Sequence, residues 1–292
     1  MSKKSVIMLL VFIVLAAVGI FLANEAKRLS LMDVLANLFH KGKSIQKIGG
    51  LDDLFKGSAS DFRGVSDPAQ DPLFVAARSG TASEVLAALG KGSPDVQDWT
   101  GLTPLMYAAR RNKMDTAKIL VDNGAGLNIQ DVKGYSALMY SAESAADEVS
   151  SYLLKSGANP NIHASSGDTA LSIAAFTGRT AQLSDLLNRN ADVNSKNSSG
   201  VTPLMFAAMN GNPEAVNILI RRNAQVNAAD HNGFTPLLYA AEYGNAEAVR
   251  LLITAGADIT ARDRMGMTAI YHARRNNHRN VVDFLTDSGA PE

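Results

Sequence analysis

The sequence predicts an all-α solenoid of six to seven helix-turn-helix repeats with β-turn tips, preceded by one N-terminal transmembrane helix. Three observations carry that expectation. The stretch GVTPLMFAAMNGNPEAVNILI, from Gly200 to Ile220, returns nearly unchanged as GFTPLLYAAEYGNAEAVRLLI from Gly233 to Ile253, 33 residues later. The same period holds over most of the chain, with Gly at 101, 134, 167, 200, 233 and 266 and Leu at 120, 153, 186, 219, 252 and 285. Self-similarity at a fixed period marks stacked units that cannot bury their apolar faces alone. Ahead of the repeats lies an uncharged run, SVIMLLVFIVLAAVGIFLA, over residues 5–23.

Taken in order, residues 1–4 are a short basic N-terminus containing Lys3 and Lys4. The apolar run from Val6 to Ala23 is eighteen residues long, about the minimum for a membrane span. A cleaved signal peptide or a buried core helix is the alternative. Signal peptides have shorter apolar cores and a small-x-small site at their end, and here the match at Ala17-Val18-Gly19 lies inside the run. Lys3, Lys4 and the terminal amine favour an N-in start, whereas Lys27, Arg28, Lys41 and Lys43 pull the other way. A very short basic N-terminus is hard to translocate. The expected arrangement is a single-pass membrane protein with its repeats outside the cytoplasm, in the periplasm of a bacterial cell. A cytoplasm-facing body is the alternative. Gly19-x-x-x-Ala23 is a helix-packing pattern common by chance.

Residues 24–67 join this anchor to the body. Leu31, Met32, Leu35, Leu38 and Phe39 share one helical face. That face suits either packing on the next domain or lying in the membrane interface. The Gly/Ser/Asp/Pro-rich stretch GSASDFRGVSDPAQDP reads as a linker.

Residues 68–292 are the repeat domain. In the row from Asn197, Asn197-Ser198-Ser199-Gly200 forms a tight turn. Thr202 caps the first helix and Pro203 occupies its first position. Gly211 breaks that helix, and Asn212 and Pro213 open a second whose buried stripe is Val216, Leu219 and Ile220. Asn223 ends it in the left-handed conformation that Asn tolerates. A degenerate earlier copy, DPLFVAARSG, begins at Asp71 on a 32-residue step.

Thr103-Pro104-Leu105, Thr202-Pro203-Leu204 and Thr235-Pro236-Leu237, each followed by x-x-Ala-Ala, resemble ankyrin repeats, as does Gly256-Ala257-Asp258-Ile259. The likeness covers about three-quarters of the chain. It implies a concave surface, made of turn tips and first helices, that binds another protein. This sequence departs from the family at several places. The usual His after Thr-Pro-Leu is replaced by Met106, Met139, Ser172, Met205, Leu238 or Tyr271. Ser136-Ala137 replaces Thr-Pro in one row, and the same row has Ala145 where others carry Gly178, Gly211 or Gly244. Ala in a left-handed turn costs about 1 kcal/mol, so that row is expected either to turn differently or to be the weakest. Arg274 replaces the second Ala of the last row, which suits a polar capping end.

Composition excludes much else. Lys+Arg and Asp+Glu number 28 each, so there is no basic excess for nucleic acid. The absence of Cys rules out disulfides, Cys-based zinc sites and a thiol nucleophile. The five His have no metal-ligand spacing. Asp98, Asp131, Asp230 and Asp263 share one repeat position and read as turn-forming carboxylates rather than a metal ladder. No catalytic constellation, cofactor loop or metal set stands out, so no enzyme activity, cofactor, metal or nucleic-acid partner is expected.

The candidate partner-binding residues flank the fixed Gly or follow the Ala pair. They are Trp99, Leu102, Arg110, Arg111, Tyr135, Phe176, Met209, Phe234, Glu242, Tyr243 and Met265, with Lys133, Glu143, Asp168, Val201, His231, Met267 and Arg275 in equivalent places. Aromatics, Met and Arg are enriched at protein interfaces. For Tyr135, Phe234 and Met267, packing on neighbouring turns is the competing account. Arg110-Arg111, Arg221-Arg222 and Arg274-Arg275 also suit helix C-termini electrostatically. The expected function is a membrane-anchored module that recruits a protein partner. A regulatory or accessory subunit of a membrane enzyme or transport complex is the alternative.

Overall fold

A computed structural model of the chain describes residues 65–66, 71–90 and 92–291. The expected anchor over 5–23 and the amphipathic face at Leu31–Phe39 lie outside the described residues. Among the described residues, fourteen helices follow one another in seven pairs. The first helices of the pairs are α1 (Pro72–Ser79), α3 (Pro104–Arg110), α5 (Ala137–Glu143), α7 (Ala170–Thr177), α9 (Pro203–Asn210), α11 (Pro236–Glu242) and α13 (Ala269–Arg275). The second helices are α2 (Ala82–Leu89), α4 (Met114–Asp122), α6 (Asp147–Lys155), α8 (Thr180–Asn188), α10 (Pro213–Arg221), α12 (Ala246–Thr254) and α14 (Arg279–Asp287). First helices pack on first helices and second on second, giving two layers. The only strand pairing among the described residues is two residues long: β1 (Val65–Ser66) runs parallel to β2 (Gln97–Asp98). No helix among the described residues is long and apolar enough to cross a membrane.

The caps explain where each helix starts. The side chains of Thr103, Thr169, Thr202, Thr235 and Thr268 each accept the backbone N–H three residues on. The returning half of the capping box normally comes from a polar side chain at that third position. Here the Met106 and Met205 sulfurs accept the N–H of Thr103 and Thr202 at 3.4 Å, and Ser172 Oγ accepts that of Thr169 at 2.9 Å. In these three rows the residue standing in the usual His position supplies this half of the box, twice through a polarisable sulfur. Asn212 caps α10 as expected, accepting from Ala215 N–H at 2.9 Å. Asn190 and Asn223 end their helices at positive φ.

Between the layers, the leucines of the 33-residue period (120, 153, 186, 219, 252 and 285) all have 0% exposure. They form a column that crosses from repeat to repeat. Two hydrogen-bond ladders run beside it. At the turn tips, Val132, Ser165, Ser198, His231 and Arg264 each donate their N–H to the preceding tip, on the carbonyls of Thr100, Lys133, Ser166, Ser199 and Asn232. This approach leaves no room for a side chain at the fixed Gly. A Cβ on Gly134 or Gly167 would lie 2.7 or 2.6 Å from the next tip's backbone nitrogen, and both sit at positive φ. The second ladder follows the outgoing segments, where Asp95, Asn128, Asn161, Asn194 and Asn227 each accept a backbone N–H 31 residues further on.

The row with Ala145 does not turn differently. Ala145 adopts φ 60, the same left-handed conformation that Gly178 and Gly211 adopt elsewhere. The same row carries polar side chains at core positions. Ser141 and Ser150 are buried, and the buried Gln182 of the next row donates to the Ser141 carbonyl at 3.0 Å. Ala145 thus stands in a left-handed conformation that Gly or Asn fills in other rows. Ala145→Gly is expected to raise the stability of the chain by about 1 kcal/mol, read as a higher denaturant midpoint with an unchanged slope. An unchanged or lower midpoint would show that Ala145 is not strained.

Candidate functional site

The first-helix layer ends in a row of residues that the fold holds in fixed register but does not use. Arg78, Arg110, Glu143, Phe176, Met209 and Glu242 stand one after the other at the position following the paired small residues, and Arg275 holds the same position in the last row, where Arg274 replaces the second small residue. The small pair itself is fully buried in each row from α3 to α11, which draws neighbouring helices close. The next residue points away from the stack. Its chemistry changes from row to row while its geometry does not.

Beneath this row, a carboxylate organises four of the tips. Asp98, Asp131, Asp230 and Asp263 are buried. Oδ1 of each accepts two backbone N–H groups of its own turn, at 2.7–3.0 Å. The other oxygen reaches nine residues on. It accepts the hydroxyl of Tyr107 at 3.0 Å, of Tyr140, and of Tyr239 at 2.7 Å, and in the last row it meets His272 Nε2 at 3.0 Å. Burial, and then the Asp98 charge and hydrogen bond, pushes the Tyr107 hydroxyl up to about 12. Burial followed by the Asp hydrogen bond moves Tyr140 and Tyr239 in the same direction. These phenols therefore act as neutral donors that tie tip to helix. Where the carboxylate is missing, Asn197 holds its turn through Oδ1 and bonds Asp168 through Nδ2 at 2.9 Å. No group of three His, Asp or Glu among the described residues is arranged to hold a metal ion.

The candidate residues divide on this geometry. Trp99, Phe176 and Tyr243 are exposed at 54%, 51% and 55%, and Met265 at 79%. Arg110 and Arg111 are exposed, and Met209 and Glu242 are half-buried. Phe176 rests edge-on against Phe206, with centroids 5.7 Å apart, and keeps its outer face free. Phe176, Met209, Glu242 and Tyr243 come from the ends of α7, α9 and α11, which pack side by side. Trp99 and Met265 sit instead on turn tips. Leu102 is not a surface residue: at 9% exposure it belongs to the core, as does Val201. The residue after the fixed Gly turns inward, because the chain there is already bending into the helix cap. Tyr135 and Phe234 share that position and are half-buried. The Tyr135 ring packs 5.4 Å from Tyr140, and Phe234 lies 4.9 Å from both Tyr239 and His272. They brace the tip rather than face outward. Among the exposed apolar residues that escape the reading of the sequence, Leu86 at 52% and Tyr271 at 42% included, Val132 stands out at 68%, on the turn tip after that of Trp99. Its signal was the Trp99 register, one period earlier.

A family model described as ankyrin repeats (3 copies) matches residues 73–164, 105–197, 171–263 and 228–291. Among solved structures, the chain is similar to the crystal structure of the ankyrin repeat domain of Bcl-3, described as a unique member of the IkappaB protein family. The two are 28% identical with a TM-score of 0.63, and the match covers 74% of this chain and 97% of that one. No curated protein matches the chain.

Exposed and buried positions of one register should separate on substitution. Phe176→Ala and Tyr243→Ala are expected to change stability by about 0.5 kcal/mol or less, whereas Leu219→Ala should cost about 2–5 kcal/mol. Thermal or denaturant unfolding of the three variants distinguishes them. Equal losses in all three would make the aromatics core residues.

Proposed function

Because the chain belongs to the ankyrin-repeat family, whose repeats generally mediate protein–protein interaction, we propose that it is a membrane-anchored interaction module. A protein partner lies along the exposed side of the first helices, and residues 5–23 hold the assembly at a membrane. The observation that carries the reading is the half-exposed Phe176, flanked by Met209 and Tyr243 on the next helix ends. Large rigid side chains in that state are the usual anchors of protein interfaces. The ankyrin fold is typically a non-catalytic interaction module, and nothing in the row of exposed residues pairs a nucleophile with a base.

The membrane part rests on the eighteen uncharged residues from Val6 to Ala23 and the two lysines before them. This topology places the N-terminus inside and the repeats outside the cytoplasm, where a chain without Cys loses nothing to oxidation.

Two experiments test the two halves separately. A photo-crosslinking amino acid at position 176 of the full chain, in the cells that produce it, should form a discrete crosslink to another protein. The same probe at Arg221, on the second-helix layer, should not. Crosslinking at 221 but not at 176 would move the interface to the opposite layer. For the anchor, the chain is expected to stay in the membrane fraction after alkaline carbonate washing with its N-terminus intact. Recovery of a soluble chain beginning after the apolar run would replace the anchor with a cleaved signal.

A further inference from the structure

The exposed row is not chemically uniform, and its first two members are both arginine. Arg78 of α1 and Arg110 of α3 are equivalent residues, 32 positions apart, on helices that pack directly against each other. Both are exposed, as is Arg111 beside them. Aromatic rings accompany them. The Phe74 and Tyr107 rings meet edge-on at 5.6 Å, and the Arg110 guanidinium stands 5.9 Å above the Tyr140 ring. Arg78 and Arg110 both act electrostatically on the Tyr107 hydroxyl. Neither makes an ion pair with another described residue. The ion pairs among the described residues are Arg250–Glu247 and His272–Asp263, on other helices. Glu143, one row further on, makes no ion pair with Arg110.

Helix electrostatics do not account for this pair. Cations do favour helix C-termini, but α5 and α11 carry Glu143 and Glu242 at the same place in the same geometry. If the dipole set the residue type at this position, acids would not occupy it twice in seven rows. The exposed row is therefore free to carry recognition chemistry, and at its N-terminal end that chemistry is two guanidinium groups without an ion pair to another described residue, one of them, Arg110, over the Tyr140 ring. Guanidinium recognises carboxylate with two parallel hydrogen bonds, and an aromatic face beneath it preorganises the fork.

We propose that Arg78, Arg110 and Arg111 form an acid-recognising end of the partner groove, which takes a segment of the protein partner bearing two carboxylate side chains. The proposal rests on the reading of the first-helix side as the partner site and specifies what that partner carries. Packed helices are spaced about 8–10 Å apart, and an extended chain advances about 3.3 Å per residue. An extended segment therefore meets one repeat roughly every three residues. Its two acids stand about three residues apart, one over each arginine. Phe176 lies two rows beyond Arg110, so an apolar residue follows about six residues further along, over Phe176 and Met209.

The test places the photo-crosslinking amino acid at Arg111 and, separately, at Phe176 of the full chain in its native cells, followed by sequencing of the crosslinked peptides. The expected result is one partner captured at both sites, with two Asp or Glu about three residues apart at the 111 crosslink. The double variant Arg78→Glu/Arg110→Glu should lower the crosslink yield at 176 by at least about tenfold without shifting thermal unfolding. Arg221→Glu should leave that yield unchanged. A neutral or basic peptide at 111, a lipid adduct there, or capture at 176 with none at 111 would overturn the acidic assignment and leave the protein-binding reading intact. Full capture at 176 by the double variant would overturn it as well. Capture at neither site would defeat the protein-binding reading itself, and this inference with it.

Discussion

The structure depends on one contact made again and again: each repeat buries its apolar face only against the next. A pair of helices seven to nine residues long cannot shield its own leucine. Stacked, the leucines of the 33-residue period disappear from solvent entirely, and the small Ala pairs of the first helices let the layers close. Everything at the surface follows from that spacing. The tips approach until backbone bonds backbone, the outgoing Asn side chains reach the next repeat, and the residue after the Ala pair is turned out in every row. The site is a by-product of the stacking, held rigid by it and chemically unconstrained by it.

That separation explains how much of the molecule was legible in the sequence. Thr-Pro starts, Gly and Asn stops and the leucine column are local signals whose meaning does not depend on a distant partner. They placed the helix pairs directly. The Asp–Tyr pairs were half visible. The turn-forming role of Asp98 and its equivalents follows from their own backbone, but the hydroxyl nine residues on belongs to a helix whose orientation only the fold supplies. The Asn128–Asn227 ladder has a plain period, yet its acceptor role needs the approach of a chain 31 residues away. Leu102 and Val201 were misjudged for a geometric reason. Adjacency to a turn glycine suggests exposure, whereas the backbone there has already bent toward the core.

The candidate site was legible as a register and not as a surface. Phe176 and Tyr243 were found because they follow the Ala pair, where the pattern makes no structural demand, and are of a type enriched at protein interfaces. Tyr135 and Phe234 occupy a position that looks equally variable, but rings there brace a tip against Tyr140 or Tyr239. Only the orientation of the Cα–Cβ bond distinguishes the two cases. The arginines at the N-terminal end could be read in either of two ways from sequence. The glutamates at equivalent helix ends count against the helix-dipole account once the helices are seen to share one geometry.

The inter-repeat ladders have a consequence for how the chain acquires its structure. The hydrogen bonds joining one repeat to the next connect residues 29 to 41 positions apart, never the two ends of the domain. Loop-closure entropy is thus met in small, equal increments, and low contact order favours rapid folding. A chain delivered N-terminus first, from a ribosome or through a narrow pore, can dock each new helix pair on those already in place before the remainder has emerged. Arg78 and Arg110 would then be among the first parts of the proposed recognition surface to exist, and the row strained at Ala145 is an early step that the growing stack must pass.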